Sequence, residues 1–322
     1  LAREWAKSIA VIDDLADRRH DCNFLLDQTP GRRKEDYSGL VPEDCVLALG
    51  GNHALLRKEF APWSAPPSQS LFKGSSPFTL LIALGGTDPK GITGRLAAAL
   101  AHLPELRIQA VVGAAAANLK TLRQQALEQE NLELIVATAR MSGLIRAADL
   151  AIGAGGVSAL ERCALGCPSL VMVTADNQKL MACNLTALGA TEALTEEEIL
   201  SGALANRVVT LLHSPERRAT LAQSGKSVVD GAGQWRTAFA MTLSTLKPRV
   251  LVKCAPLLEN HLRIELTDTR EESMGWLEVN PSNNSTPIIR YYPQGNGSLD
   301  LKTLGTILPV NALGLTAQWR AE

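Results

Sequence analysis

The sequence predicts an α/β protein: two doubly wound, parallel-sheet domains, the first incomplete, followed by a small β-rich C-terminal tail. Three observations predict it. From residue 78 onward, short apolar runs alternate with helical stretches. The runs are continuous rather than alternating in polarity, as expected of strands covered by helices on both faces. Several of them end in turn residues, Gly85-Gly86, Gly153–Gly156 and Asp176–Gln178, at the edge where a parallel sheet places its ligands.

The elements follow in chain order. A helical stretch, Leu1–Lys7, runs into an apolar strand over 8–12. That order belongs to the middle of an α/β domain, so the first domain is expected to lack its start. Further strands are predicted over 23–26 and 45–49, divided by the turns Gln28–Gly31 and Gly50–Asn52. The Pro/Ser-rich segment around Pro62–Ser70 reads as a linker. Residues 1–62 are thus expected to be the remnant of one domain and 63–76 the linker. Residues 77–246 are expected to form the second domain. Within it, strands over 78–84, 107–112, 132–136, 149–152 and 169–173 alternate with helices over 92–102, 118–130, 141–147, 158–165 and 178–188. Helices over 196–213 and 215–229 close the block. From 247 to 322 the pattern changes to short strands (250–254, 261–266, 287–292) between Asn/Ser/Gly turns, with no chemical motif.

Composition removes several function classes. Lys+Arg total 32 against Asp+Glu 33, so no basic field exists to hold nucleic acid. Aromatics make up 4%, too few for a base-stacking surface. No apolar run reaches the roughly 18 residues of a membrane span. The six cysteines include Cys163 and Cys167 at a clip-like spacing, but no second pair matches it, so they read as buried thiols and no metal is expected. Unpaired cysteines suggest a cytoplasmic compartment. The sequon-like Asn283–Thr286 reads as a polar turn. A monomer or weak homo-oligomer is expected, with no cofactor.

The strongest chemical feature is Asp149-Leu-Ala-Ile-Gly-Ala-Gly-Gly-Val-Ser-Ala-Leu-Glu161. A buried strand ends in glycines and a helix begins at once. Glycines let backbone approach a ligand closely, and a helix N-terminus offers unpaired N–H groups at the positive end of its dipole. This is a phosphate site in which a side chain at Gly155 would stand where the phosphate must lie. Ser158 either caps the helix or donates to a phosphate oxygen, and Glu161 can accept the ribose hydroxyls of a nucleotide. The alternative is a tight structural turn with a solvated first-turn acid. A dinucleotide fingerprint does not fit, because position 158 is serine and the motif follows the fourth strand of its domain, not the first. A second turn, Leu84-Gly-Gly-Thr-Asp88, brings Gly85, Gly86 and the Thr87 hydroxyl to the first strand's end, with Asp88 placed to cap the next helix; a purely structural turn is the alternative. Asn177 and Gln178 follow the fifth strand and offer neutral hydrogen bonds suited to a sugar. Among the histidines, His20 in Arg18-Arg-His-Asp21 stands out, with Asp17 or Asp21 to orient it, but it reads as a surface-loop residue. Asp13-Asp14 reads as a strand-end turn, since neighbouring strand residues point to opposite faces.

Together these motifs resemble the C-terminal domain of nucleotide-sugar enzymes of the GT-B fold, such as the peptidoglycan N-acetylglucosaminyltransferases that make lipid II. They more closely resemble the hydrolases of pseudaminic acid biosynthesis, which release 2,4-diacetamido-2,4,6-trideoxy-L-altrose from its UDP conjugate. The resemblance covers roughly residues 5–195. It runs through Val11–Asp17, Cys22–Gln28, Ala54–Arg57, Gly85–Asp88, Ile152–Gly156, Glu161–Cys163 and Ala175–Gln178. It implies a two-domain GT-B-like fold, with Glu161 on the ribose and Gly155, Gly156 and Ser158 on the diphosphate. It also implies backbone at Arg140–Met141 for the uracil and Asn177 near the reacting sugar. The implied reaction is attack of water on the anomeric carbon with inversion and departure of UDP. The general-base histidine of these hydrolases would lie upstream of Leu1, so residues 1–322 are expected to bind UDP but not to turn the sugar over. A UDP-sugar glycosyltransferase and a non-catalytic UDP-sugar-binding chain remain the alternatives.

Overall fold

Residues 10–49 supply three short apolar strands, β1 (Ala10–Ile12), β2 (Phe24–Asp27) and β3 (Val46–Leu49), which pair in parallel in the order β1-β2-β3. The computed structural model describes residues 2–61 and 77–243, and beyond them the strand residues 251–254, 262–267, 273–280, 288–293 and 318–321. The predicted linker at 63–76 and the Asn283–Thr286 turn lie outside the described residues. The helix expected over Leu1–Lys7 is a single 3-10 turn, Ala2–Glu4. The chain divides into two units: Leu1–Pro66 with Asp230–Glu322, and Pro67–Val229.

The second unit alternates strand and helix throughout. Its elements are β4 (Phe78–Ala83), α1 (Ile92–Ala99), β5 (Leu106–Val112), α2 (Leu119–Glu128), β6 (Leu132–Val136), α3 (Met141–Ala147), β7 (Leu150–Ala154) and α4 (Val157–Ala164). They continue with β8 (Ser169–Met172), α5 (Lys179–Ala187), β9 (Glu192–Ala193), α6 (Glu196–Leu200), α7 (Ala203–Leu212) and α8 (Pro215–Val228). All strand pairs are parallel, in the order β6-β5-β4-β7-β8-β9. The strands are continuous apolar runs because both faces are covered: Leu80, Ile82, Ile108, Leu150, Ile152 and Leu170 share one core with Leu96, Leu204 and Val208 from the helices. The single helix expected over 196–213 is two. Gly202, at φ 76°, breaks it in a left-handed conformation that other residues rarely adopt. α6 has its own N-cap, where Thr195 and Glu198 exchange hydrogen bonds in a capping box.

The last described helix, α9 (Gly233–Leu243), belongs to the first unit, where it packs on β3 and on the 3-10 turn Gly51–His53. Gly233 makes this possible, since a Cβ there would stand 2.5 Å from the Ala54 carbonyl oxygen. Arg236 is buried and ties the seam, donating to both carboxylate oxygens of Asp230 and, at 3.1 Å, to the Asn52 carbonyl. Beyond α9 the described residues are all strand: β10 (Leu251–Cys254), β11 (Leu262–Thr267), β12 (Ser273–Asn280), β13 (Ile288–Pro293) and β14 (Gln318–Ala321). They form one sheet in that order, antiparallel up to β13, with β13 and β14 parallel. The sequence did not lead us to expect β9, β12, β14 or α9. Among the described residues no helix is long and apolar enough to cross a membrane.

Candidate functional site

The six-stranded order reverses direction between β4 and β7, and at such a switch point the loops leaving neighbouring strands diverge and open a crevice. The two glycine turns leave those two strands. After β4, Gly85 has φ 110°, and Gly85, Gly86 and Thr87 are exposed. The turn is held from beneath. The Gly86 carbonyl accepts the Gly113 N–H at 2.9 Å, and the Thr87 carbonyl accepts the Ala117 N–H at 3.1 Å. The Asp88 carboxylate is buried and accepts the N–H groups of Ile92 (2.9 Å) and Thr93 (3.0 Å), so it caps α1 as expected. Gly113 was missed by sequence reading; a Cβ there would lie 2.5 Å from the Gly86 oxygen.

After β7, Gly156 is the N-cap of α4 and has no side chain to occupy the first N–H groups of the helix. Ser158 is therefore not the cap but the second helical residue, and its Oγ lies 3.5 Å from Arg162 Nη1. The two glycines differ. A Cβ on Gly155 would stand 2.9 Å from Ala182 Cβ and 3.3 Å from Val171 Cγ1, so its side-chain direction is taken by α5 and β8. The expectation that a Gly155 side chain would meet the ligand is therefore corrected: it would meet protein. A Cβ on Gly156 finds only the Gln178 amide, 3.8 Å away. Glu161 lies half-buried in the second turn of α4.

Gln178 closes the 3-10 turn Asp176–Gln178 after β8. Its Oε1 accepts the Thr174 N–H at 3.1 Å and the Thr174 hydroxyl at 2.9 Å, which leaves Nε2 turned toward Gly156. Asn177 is exposed beside it. Gly155, Gly156, Ser158, Glu161 and Gln178 are thus brought together on the β7–α4 turn, α4 and the β8 turn, with Gly85–Thr87 on the turn after the adjoining strand. Met141 opens α3 at the same edge of the sheet, but after β6, which is separated from β4 by β5. Cys163 on α4 and Cys167 just after it are buried, and burial pushes their thiols up to about 11 and about 12.

The first unit carries a separate polar cluster at the carboxyl ends of β1 and β2. The Tyr37 hydroxyl lies 2.9 Å from Asp13 Oδ2 and 2.8 Å from Asp27 Oδ2, all three buried. Arg32 Nε donates to Asp27. Asp13 also accepts the Ala16 N–H at 2.9 Å, the strand-end turn expected of Asp13-Asp14, while Asp14 faces solvent. Burial pushes the Asp13 carboxyl up, but the bonds from Ala16 and Tyr37 and the field of His20 together hold it below its ordinary range. Burial and the neighbouring carboxylates push Tyr37 far up. His20 is not the surface-loop residue expected. Its side chain is 13% exposed, and Nε2 faces Asp13 Oδ2 at 3.6 Å, so Asp13, not Asp17 or Asp21, is the acid beside it.

Residues 79–234 match the glycosyltransferase family 28 C-terminal domain, which thus spans the glycine turns, α4 and the β8 turn. The spore coat polysaccharide biosynthesis protein SpsG of Bacillus subtilis is 30% identical over 158 residues, 48% of this chain and 47% of that protein. The UDP-2,4-diacetamido-2,4,6-trideoxy-beta-L-altropyranose hydrolase of Campylobacter jejuni is 29% identical over 118 residues, 36% of this chain and 40% of that protein. The chain therefore spans less than half the length of either relative. Among solved structures, MurG of Acinetobacter baumannii superposes with a TM-score of 0.51 at 17% identity, covering 74% of this chain and 68% of that one. This likeness concerns the fold alone: α/β, with parallel sheets of three and six strands, like its GT-B neighbours.

Proposed function

We propose that the chain binds a UDP-sugar at the carboxyl edge of the six-stranded sheet and belongs to an enzyme that hydrolyses it to free sugar and UDP. The observation that carries this reading is the β7–α4 turn: a helix N-terminus with no side-chain cap, opened by Gly156, with the Glu161 carboxylate one turn further on, at the switch point of a sheet that matches a family 28 C-terminal domain. In this reading the diphosphate lies against Gly155, Gly156 and Ser158, where helix N–H groups meet its charge. Glu161 accepts the ribose hydroxyls, Gly85–Thr87 border the opposite wall and backbone at Met141 meets the uracil. Asn177 and Gln178 Nε2 face the sugar. Water attacks the anomeric carbon from the face opposite UDP and gives up its proton to a general base or to solvent, while the glycosidic C–O bond breaks and the electron pair leaves with the diphosphate. The α4 N-terminus stabilises that developing charge.

The hydrolase reading, with a diacetamido-trideoxy-hexose as the sugar, is supported by the similarity to the Campylobacter hydrolase. The family match favours a second reading, a glycosyltransferase that passes the sugar to an alcohol. Calorimetry with UDP, UMP and uridine tests the site: affinity should rise with each phosphate, and an equal response to all three would refute it. Incubation of the UDP-diacetamido sugar with this chain, and with a version extended by the sequence encoded upstream of Leu1, then separates the readings; turnover by neither supports a UDP-sugar-binding chain without catalysis. Free sugar released with water alone supports the hydrolase, and sugar transferred only to an added acceptor supports the transferase.

A further inference from the structure

A cation lies hidden under the β7–α4 turn. Arg162 leaves α4 in its second turn, and helical side chains slant toward the N-terminus of their helix, so its guanidinium runs back beneath the glycines. The residue is 1% exposed. Nη2 donates to the Ala154 carbonyl at 2.9 Å, Nη1 reaches Ser158 Oγ at 3.5 Å, and Nε has no partner. Gly153 supplies the room. A Cβ on that residue would fall inside the guanidinium, 2.5 Å from Cζ.

Two features make this placement unfavourable as plain architecture. A guanidinium keeps its charge when buried, yet among the described residues no carboxylate is ion-paired with it. Burial is the chief influence on it and lowers its pKa. The charge also stands at the positive end of the α4 dipole, where anions are favoured and cations are not. The Ala154 carbonyl and the Ser158 hydroxyl satisfy hydrogen bonds but leave the charge uncancelled. A group that relieves both burdens is an anion on the outer side of the Gly155–Gly156 turn, drawn by helix N–H groups and guanidinium together.

We propose that Arg162 is the buried counter-charge of an anion site at the β7–α4 turn, acting through the turn without touching the ligand, and that a nucleotide diphosphate is the anion. The second half of this statement rests on the UDP-sugar reading; the first does not. Arg162 is accordingly a positioning residue for charge, and its removal weakens binding of anything that carries the diphosphate.

The test uses the full chain, Arg162→Gln and Arg162→Lys, with inorganic pyrophosphate, UDP and uridine as probes in calorimetry and thermal melting. Pyrophosphate should stabilise the parent saturably. Arg162→Gln should lose on the order of tenfold in affinity for pyrophosphate and UDP, with a shallower dependence on salt, and be unchanged toward uridine. Arg162→Lys keeps the charge without the planar fork and should recover most of that loss. A Gln variant that binds pyrophosphate as the parent does, or a Lys variant as impaired as Gln, overturns the proposal. So does a parent that pyrophosphate fails to stabilise, a result that needs no variant to fold. Pyrophosphate binding without any preference for UDP would uphold the anion site and refute the nucleotide reading.

Discussion

The two adjacent glycines of the β7–α4 turn should respond oppositely to the same small change. In Gly155→Ala the new methyl stands 2.9 Å from Ala182 Cβ, closer than packed carbon atoms tolerate, and 3.3 Å from both Val171 Cγ1 and the Gln178 carbonyl oxygen, which are tight contacts. Overpacking of a filled interior costs about 1–3 kcal/mol, and the lost freedom of the unfolded chain returns about 0.4–1 kcal/mol. A net loss of about 1–2 kcal/mol is expected, and each kcal/mol lowers Tm by about 2–4 °C in a domain of this size. In Gly156→Ala the nearest atoms are 3.8 and 4.0 Å away, and the backbone, at φ −91°, suits alanine. Its stability should change by less than about 0.5 kcal/mol, as expected away from tight packing. Yet its methyl enters the space over the helix N-terminus, so UDP affinity should fall about tenfold or more, about 1.4 kcal/mol. Differential scanning calorimetry and titration with UDP read both quantities on both variants. A Gly156→Ala protein that binds UDP as tightly as the parent would refute the placement of the diphosphate. A Gly155→Ala protein that melts with the parent would refute the packing argument.

Further outcomes follow from other side chains. Glu161→Ala should cost about 1.5–3 kcal/mol of UDP affinity, the worth of hydrogen bonds to a charged group, and little for pyrophosphate; equal losses for both ligands would exclude a ribose contact. His53 lies buried in the α9 seam, and burial first, then the field of Arg236, lowers it to about 4, with Asp230 opposing. Because the unfolded chain takes up that proton near pH 6.5 and the fold resists it until about 4, stability falls as pH drops through this window, by on the order of 3 kcal/mol. Urea unfolding of the parent and His53→Gln at pH 7 and pH 4.5 should show a smaller acid loss in the variant; identical losses would disprove the assignment. Tyr37→Phe removes the hydroxyl between Asp13 and Asp27 and should destabilise by about 1–3 kcal/mol at pH 7, less in acid, where Asp13, held below its ordinary range in the fold, takes up a proton. A larger effect in acid would contradict the arrangement.

The strand–helix order of the second unit was legible because its signals are local. Buried parallel strands are continuous apolar runs, and each ends in a turn that glycine or a capping acid betrays, as Gly85–Asp88 and Gly153–Gly156 do. What escaped depends on partners far away in sequence. The α9 stretch carries Trp235, Arg236 and Thr237, all buried, which looks nothing like an apolar helix face. Those residues are accommodated by Asp230, by the Asn52 carbonyl, and by His53, whose carbonyl accepts the Thr237 hydroxyl at 3.0 Å. β9 is two residues long, too short for any periodicity. The break between α6 and α7 did have a local signal in Gly202, which the apolar spacing on either side masked.

The site shows the same division at finer scale. That a phosphate would suit the β7–α4 turn follows from glycines before a helix, a pattern visible in thirteen consecutive letters, Asp149–Glu161. The roles of individual glycines do not follow from it, because each role is set by what stands opposite the missing Cβ. For Gly155 that is Ala182, for Gly156 open space beside Gln178, and for Gly153 the guanidinium of Arg162. Arg162 itself reads in sequence as a helix-surface cation beside Glu161, and a hydrophobic pattern has no means of distinguishing it from one. The sole sequence trace of its burial is the glycine nine positions earlier, whose absent side chain is the space that the guanidinium fills. Replacing Gly153 disturbs the packing of the guanidinium. Replacing Arg162 by a neutral residue changes packing and charge at once, and the lysine substitution at 162 keeps the charge while changing the packing.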